Sequence, residues 1–258
     1  MSLLKKVIVL GSGTSTGVPS IGCSCAVCKS SDPKNKRMRS SVLLQTKDDQ
    51  NILIDCGPDF RQQMIDNDIS KIDAVLFTHT HADHCHGFDD LRQLVFKNKK
   101  PIDCYISDIH REDLISRFQY AFIDTGYKGM TPKVNLHSLA SKIEVCGIPV
   151  ESFPLPHGVA TSFGFLCADF LYFTDFKSVP QETCDHIKGK INVAIVSAAR
   201  KILHHSHSSM DESLELMQRL EVKKGFLTHL SHDYDHSVDV QTLPKHYSLA
   251  YDGMTVSL

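Results

Sequence analysis

The hexapeptide His79-Thr80-His81-Ala82-Asp83-His84 constrains this chain more than any other stretch, because it crowds three imidazoles and a carboxylate into one loop. The residues just before it, Ala74-Val75-Leu76-Phe77, are an apolar run that reads as a buried strand. The loop therefore hangs from a strand end that core packing holds still. Imidazoles accept zinc, iron, nickel or manganese, and a carboxylate adds a hard oxygen donor. Four such groups held together are costly to desolvate unless a cation sits among them. A metal centre is the expectation, in preference to a patch of solvated histidines. Upstream, Asn51-Ile52-Leu53-Ile54-Asp55-Cys56-Gly57 reads as a second strand that ends in Asp-x-Gly.

At 258 residues and 41% hydrophobic content, the chain can bury about three quarters of its unfolded surface. No proline- or serine-rich linker and no repeat divides it, so residues 1–258 read as a single domain. The net charge of −2 and the lack of a long basic stripe argue against polymeric nucleic acid as a partner. Lys34 to Arg39 and Lys97 to Lys100 are short basic clusters that read as solvated loops. Met1 to Leu10 holds only a brief apolar run, too short for a signal peptide or a membrane span. A cytoplasmic location with no membrane partner is expected.

The nine cysteines, an odd number with no export signal, speak against a disulfide framework. Cys23, Cys25 and Cys28 fall within six residues and can wrap three thiolates around one ion. That leaves one tetrahedral position for a ligand from elsewhere, and a structural zinc is the reading. Cys56, Cys85, Cys104, Cys146, Cys167 and Cys184 are scattered and read as small buried hydrophobes.

Strands are expected at Lys6 to Leu10, Val42 to Thr46, Ile52 to Asp55, Ala74 to Thr78 and Pro101 to Ile106, with a hairpin turn at Asp48-Asp49-Gln50-Asn51. Helices are expected at Asp59 to Asp66, Phe88 to Phe96 and Arg111 to Tyr120, followed by a loop containing glycine and proline. In the second half, strands near Pro149 to Leu155, Phe163 to Cys167, Phe170 to Thr174 and Val193 to Ser197 precede a helix at Asp211 to Leu220. Ser209-x-x-Glu212 opens that helix as a capping box. Gly225 to Thr228, Tyr247 to Ala250 and Met254 to Ser257 complete the strands. Strands and helices mixed in two similar halves suggest an α/β chain, with two sheets packed face to face and helices outside.

The His-x-His-x-Asp-His loop and the Asp-x-Gly strand end resemble the metallo-β-lactamase superfamily. The resemblance implies a four-layer αββα sandwich, and it makes Asp55 an acceptor that orients a ligand histidine. Three more strand ends then gain meaning. His157 follows Phe153-Pro154-Leu155-Pro156, Asp175 closes Leu171-Tyr172-Phe173-Thr174, and His229 closes Gly225-Phe226-Leu227-Thr228. Singly each would be an ordinary turn former. In the chain order of the superfamily they complete a set for two divalent ions. His79, His81 and His157 take one ion, Asp83, His84 and His229 take the other, and Asp175 bridges them. Zinc or manganese suits these donors, as do iron and nickel.

Two details narrow the family. His232 lies three residues past His229, and the cysteine triplet lies near the other end of the chain. This resembles the phosphoribosyl cyclic phosphate phosphodiesterases, the PhnP group, from the Gly-rich opening to Tyr251-Asp252-Gly253-Met254. The resemblance assigns Cys23, Cys25, Cys28 and His232 to one structural zinc, which would pin the loop presenting His229. It places His207, in Ser206-His207-Ser208-Ser209, at the catalytic histidine of that family, with His204 and His205 competing for the role. Asp83 counts as catalytic as well as a ligand.

Two cations about 3.5–4 Å apart lower the pKa of a shared water and neutralise charge on phosphoryl oxygens. A metal-bridging hydroxide is therefore expected to attack phosphorus in line with the leaving oxygen. His207 would stabilise the developing charge or protonate the departing alkoxide. The implied substrates are small phosphodiesters, such as ribose 1,2-cyclic phosphates or 2′,3′-cyclic nucleotides, with specificity carried by loops such as Asp124 to Lys133. A homodimer is compatible with the superfamily. Gly11-Ser12-Gly13-Thr14-Ser15-Thr16-Gly17 fails the dinucleotide fingerprint, since Pro19 and the cysteines follow where a helix should begin. That loop is expected beside the metal cleft.

Rival readings come from several classes. A transfer-RNA 3′-processing endonuclease shares the loop and the ending, but typically clamps RNA with a long arm that has no counterpart here. Thiolester hydrolases of the glyoxalase type would carry an appended helical region and lack the cysteine knuckle. Iron-dependent oxygen reductases replace the second histidine of the signature by glutamate, and His81 argues against them. A cofactor-pathway or carrier protein resembling PqqB is the non-enzymatic alternative.

Overall fold

Apolar residues on both faces of a strand require a cover on each side, and the central strands of this chain are of that kind. The computed structural model describes residues 2–123 and 131–258. The first half supplies β1 (Leu4–Gly11), β2 (Ser41–Thr46), β3 (Asn51–Ile54), β4 (Ala74–Leu76), β5 (Ile102–Ile106) and β6 (Val134–Ser138). The second supplies β7 (Lys142–Val145), β8 (Ile148–His157), β9 (Ala160–Cys167), β10 (Phe170–Phe173), β11 (Val193–Ser197), β12 (Lys224–Thr228), β13 (Tyr247–Leu249) and β14 (Thr255–Ser257). Two sheets result, ordered β14-β1-β2-β3-β4-β5-β6 and β13-β12-β11-β10-β9-β8-β7.

Both sheets repeat one pairing scheme. From β14 to β3 the neighbours are antiparallel, and from β3 to β6 they are parallel. From β7 to β10 they are again antiparallel, and from β10 to β13 parallel. The two sheets thus share one pairing scheme, the first completed by β14 from the last residues of the sequence.

The space between the sheets is filled from both sides, by Val7, Val9, Leu44, Ile54 and Leu76 of one and Phe165, Tyr172, Ile195 and Phe226 of the other. The helices are α1 (Ala26–Lys29), α2 (Phe60–Asp66), α3 (Ala82–Cys85), α4 (Leu91–Asn98), α5 (Asp108–Arg117), α6 (Gln181–Ile187), α7 (Met210–Arg219) and α8 (His236–Asp239). Phe60, Met64, Leu91 and Leu114 of the helices α2, α4 and α5 cover Leu10, Leu43 and Phe77 on the outside of the first sheet. Cys184, Ile187, Leu216 and Met217 of α6 and α7 cover Phe173 and Val196 on the outside of the second. The layers run helix, sheet, sheet, helix, as the αββα expectation has it. No helix among the described residues is long and apolar enough to cross a membrane.

Where boundaries differ from expectation, hydrogen bonding gives the reason. β4 stops at Leu76 instead of Thr78, because Thr78 gives its amide to the Asp55 carboxylate and not to a neighbouring strand. The metal loop contains a helical turn, α3, entered through an extended His81. The helix expected from Phe88 begins as a 3-10 turn over Phe88–Asp90 and continues as α4. The helix expected from Arg111 starts earlier, after Ser107, and ends at Arg117. β6 and β7 were not expected; both are edge strands in which exposed polar residues interrupt the apolar ones, so neither has an apolar run. The capping box of α7 is present: Glu212 Oε2 accepts the Ser209 amide at 2.8 Å. Of the segment Asp124 to Lys133, residues 124–130 lie outside the described residues.

Candidate metal centre

All the expected active-centre donors sit where strands of the two sheets end. His79 follows β4 and begins the turn into α3, which carries Asp83 and His84; His157 ends β8, Asp175 follows β10 and His229 follows β12. Asp55, Asp175 and His229 have φ of 63°, 52° and 56°. The left-handed conformation costs a non-glycine residue about 1–2 kcal/mol, and such strain gathers at functional sites. Gly57 of the Asp-x-Gly turn has a steric reason, since a Cβ there would lie 2.1 Å from the Asp83 carbonyl oxygen. The loop and α3 therefore press backbone against backbone.

Asp55 sets the proton positions. Its Oδ1 accepts the Thr78 amide at 2.8 Å, while its Oδ2 accepts the Thr78 hydroxyl at 2.8 Å and His84 Nδ1–H at 2.7 Å. Burial pushes the Asp55 carboxyl up, against the pull of His84 and Thr78. A carboxylate only accepts, so His84 carries its proton on Nδ1 and presents a lone pair at Nε2. Thr78 has spent its one hydroxyl proton on Asp55 and must accept from His79 Nδ1–H, 2.9 Å away. His157 Nδ1–H donates to the Ser206 carbonyl at 3.1 Å. Three imidazoles are thereby held with Nδ1 protonated and Nε2 turned to the centre, where it can meet a metal.

Those lone pairs face other acceptors. His79 Nε2 lies 2.9 Å from His81 Nδ1. His84 Nε2 lies 3.1 Å from both Asp83 Oδ2 and Asp175 Oδ2. His229 Nε2 lies 3.3 Å from Asp175 Oδ1 and 3.8 Å from Asp83 Oδ2, and His157 Nε2 lies 3.9 Å from Asp175 Oδ1. His84 Nε2 and both ring nitrogens of His229 are buried without a hydrogen-bond partner. Such groups call for a cation.

Donor atoms within 4.8 Å of one another form the groups His79–His81–His157, Asp83–His84–His229, His79–His84–Asp175 and His157–Asp175–His207. The structure thus brings together the seven residues expected around two ions, and Asp175 takes part in two of the groups. Burial, with His84 beside it, keeps His79 well below its usual value, which leaves it neutral. Burial alone would raise Asp83 and Asp175, but His84 and His229 outweigh it and hold both carboxyls far below the ordinary range. Burial would lower His84, yet Asp83, Asp175 and Asp55 raise it well above its usual value. Three carboxylates around one imidazole demand positive charge at that point, as a proton or as a metal.

The centre opens into two adjoining cavities of about 360 and 390 Å³ that share Ser15, His207 and His229. The Gly-rich loop lies where expected, with Thr14, Ser15 and Thr16 on the cavity wall. His207 Nδ1 lies 3.4 Å from Asp175 Oδ1, and its ring stacks on that of His229 with centroids 5.3 Å apart. Burial pushes His207 down to about 3. His205 is exposed, and His204 turns Nδ1 toward the Ser206 amide at 3.3 Å. Among the described residues, His207 is the one of the three that lies against Asp175.

Behind the cleft, Cys23, Cys25 and Cys28 Sγ gather with His232 Nδ1 within 4.8 Å of one another. His232 Nδ1 is 3.3 Å from Cys23 Sγ and 3.4 Å from Cys25 Sγ. The Cys28 amide pulls the Cys25 thiol down to about 6, and burial pushes Cys28 up to about 11. Three free thiols and one imidazole at this spacing fit a tetrahedral ion. Buried Arg37 holds the chain on either side of His232, donating to the carbonyls of Ser231 at 3.0 Å and Tyr234 at 2.8 Å. Of the scattered cysteines, Cys146 is half-buried and the others are buried. Thr78 and Arg37 were not among the expected site residues. Thr78 was open to suspicion as the neighbour of His79, while nothing local marks Arg37.

Facing sheets with donors at their strand ends are the architecture of the beta-lactamase superfamily, whose domain model matches residues 50–230. A crystal structure described as a new diphosphatase from the PhnP family is 36% identical, with a TM-score of 0.90 over 98% of this chain and 97% of that one. The chain belongs to the metallo-β-lactamase superfamily and, within it, to the PhnP family. Zinc-bound PqqB from Methylobacterium extorquens shares the fold, at a TM-score of 0.79 and 18% identity over 98% of this chain and all of that one. A curated relative from Porphyromonas gingivalis, named octanoyltransferase, is 34% identical over 252 residues, 96% of this chain. The chain spans about half the length of that relative, 51%.

Proposed function

We propose that this chain, acting as one domain of residues 1–258, is a metal-dependent hydrolase that splits a phosphorus–oxygen bond in a small phosphodiester or diphosphate. The observation that carries the reading is the convergence around Asp175 of histidine nitrogens whose tautomers are fixed from behind. His79, His81 and His157 would hold one divalent ion and Asp83, His84 and His229 a second, with Asp175 between them. Zinc or manganese suits these donors, and iron or nickel would also fit. Such ions supply a nucleophile at neutral pH and offset phosphoryl charge.

The chain's own residues do the rest. Burial pushes His207 down to about 3, with Asp175 pulling the other way. A phosphoryl anion beside it would favour its protonated form, and from its place on the cavity wall His207 would pass a proton drawn from solvent to the departing oxygen. The second cavity is lined by the hydroxyls of Thr14, Ser15, Thr16 and Ser20 and by Arg200, with no carboxylate among its lining residues. It suits the polar remainder of a nucleotide-sized substrate, in keeping with the usual size of small-molecule sites. The PhnP-family neighbour described as a diphosphatase adds the diphosphate to the diester as a substrate class. Cys23, Cys25, Cys28 and His232 would hold a structural zinc that steadies His229. Neither polymeric nucleic acid nor a membrane is proposed as a partner, and a homodimer is compatible with this reading.

The test is a panel of cyclic phosphodiesters, linear phosphodiesters and diphosphates, assayed on protein of measured metal content. Metal-dependent turnover of at least one is expected. No turnover of the panel or of bis(p-nitrophenyl) phosphate with zinc, manganese, iron or nickel would favour a PqqB-like carrier. Preferential cleavage of transfer-RNA precursors would favour the 3′-processing reading.

A further inference from the structure

Two buried serines occupy matching places in the two sheets. The register of β2 on β3, with Val42 opposite Ile54, puts Ser41 across from Asp55. The register of β9 on β10, with Phe165 opposite Tyr172, puts Ser162 across from Asp175. Ser41 Oγ lies 3.0 Å from the Ile54 carbonyl oxygen and 2.9 Å from that of Asp55. Ser162 Oγ lies 3.2 Å from the Thr174 carbonyl oxygen and 2.7 Å from that of Asp175. Both serines are sealed from solvent, at 1% and 0% exposure.

Each hydroxyl has one proton and shares it between two consecutive carbonyls in a three-centre bond. In an extended strand successive carbonyls point to opposite sides. They can meet one donor only if the residue between them turns its backbone, and that residue is the left-handed aspartate in both sheets, with φ of 63° and 52°. The hydroxyl thus offsets part of the 1–2 kcal/mol, roughly, that the conformation costs. The same turn aims the side chain. Asp55 is sent onto Thr78 and His84, and Asp175 into the ring of imidazoles.

We propose that Ser41 and Ser162 are positioning residues, a matched pair of backbone clamps that aim Asp55 and Asp175 at the metal centre. The inference rests on the metal reading given above. It predicts different consequences for the two serines. Asp175 takes part in donor groups on both sides of the centre, so Ser162 governs both ions. Asp55 reaches the centre through His84 directly and through Thr78 to His79, so Ser41 acts one step further away.

The test is a cobalt(II) titration of the metal-free, folded full chain and of its Ser41→Ala and Ser162→Ala variants. Sulfur-to-cobalt charge-transfer bands report the cysteine knuckle, and d–d bands report the histidine and carboxylate centre. Outer partners of metal ligands are worth about ten- to a hundred-fold in affinity. Ser162→Ala is expected to weaken both non-thiolate equivalents by that factor, and Ser41→Ala to weaken them less, while thiolate-bound cobalt is unchanged. Ser→Thr variants, which keep the hydroxyl, are expected to restore binding. Wild-type binding in both folded alanine variants overturns the inference, as does equal weakening of all equivalents, thiolate included. If an alanine variant does not fold, the Ser→Cys variant, with a weaker donor, decides in the same way. If the wild-type chain takes up cobalt at the thiolates alone, the metal reading falls and this inference with it.

Discussion

Asp55→Asn is the substitution that probes the centre most sharply, because it changes no volume and reverses the proton order behind two histidines. The amide oxygen stays opposite the Thr78 N–H, which would clash with an NH₂ group. The NH₂ then replaces Oδ2, which now accepts from both Thr78 Oγ1 and His84 Nδ1. Since the NH₂ donates, His84 Nδ1 must accept, and its proton moves to Nε2, the atom 3.1 Å from Asp83 and Asp175. Thr78 accepts as well and turns its own proton on His79 Nδ1, so His79 Nε2 is protonated too. Each outer partner is worth about ten- to a hundred-fold in affinity or activity, and an isosteric change that only imposes the wrong tautomer can cost as much as about 10⁴-fold. With two histidines affected, kcat/KM is expected to fall by about 10²–10⁴, or about 3–5 kcal/mol. Metal affinity from chelator competition should fall with it, while the thermal midpoint of the metal-free chain stays near that of the wild type. Thr78→Val cuts the path to His79 alone and should show the smaller loss. Wild-type metal affinity and turnover in Asp55→Asn would refute the argument that these hydrogen bonds set the tautomers.

Three further outcomes are expected. His207→Ala should lower turnover by about 10²–10⁴ with metal content unchanged, whereas His204→Ala and His205→Ala stay close to wild type; loss of turnover in one of the latter two, with His207→Ala active, would reassign the role. Cys25→Ser should cost one zinc equivalent per chain and lower the thermal midpoint, since a structural metal contributes its binding energy to folding; unchanged zinc content would dismiss the site. Asp252, which accepts the Ser12 and Met38 amides, is pushed up by burial from 3.8 to about 6. A raised carboxyl contributes stability that is present below 3.8 and lost as pH rises through 6, about 3 kcal/mol at 1.36 kcal/mol per pH unit. Urea melts should therefore show Asp252→Asn gaining on the wild type between pH 4 and pH 7, and parallel profiles would count against it.

Much of the centre was legible because its parts are local. Three imidazoles and a carboxylate within six residues after an apolar run declare a metal loop wherever the rest of the chain goes. The cysteine triplet declares an incomplete tetrahedral site for the same reason. Strand-end His157, Asp175 and His229 became candidates through the superfamily resemblance, since any one of them alone is an ordinary turn residue. Among His204, His205 and His207 the resemblance pointed to His207 but the residues themselves left the competition open, because all three share one loop; the structure adds that His207 is the one lying against Asp175. Edge strands β6 and β7 escaped for lack of an apolar run.

What the amino-acid order determined by itself is therefore the donor loop from His79 to His84, the cysteine triplet and the strands that lead into the loop, since these are read from a few adjacent residues. Tertiary structure alone decided which nitrogen of His79, His84 and His157 is turned to the centre and which serine faces which aspartate, and it brought His232 within 3.4 Å of cysteines 209 and 207 residues away, a pairing the family resemblance had named. Those outcomes depend on sheet register, which couples residues far apart in sequence through hydrogen bonds of a few ångströms. No local pattern encodes a separation of that kind.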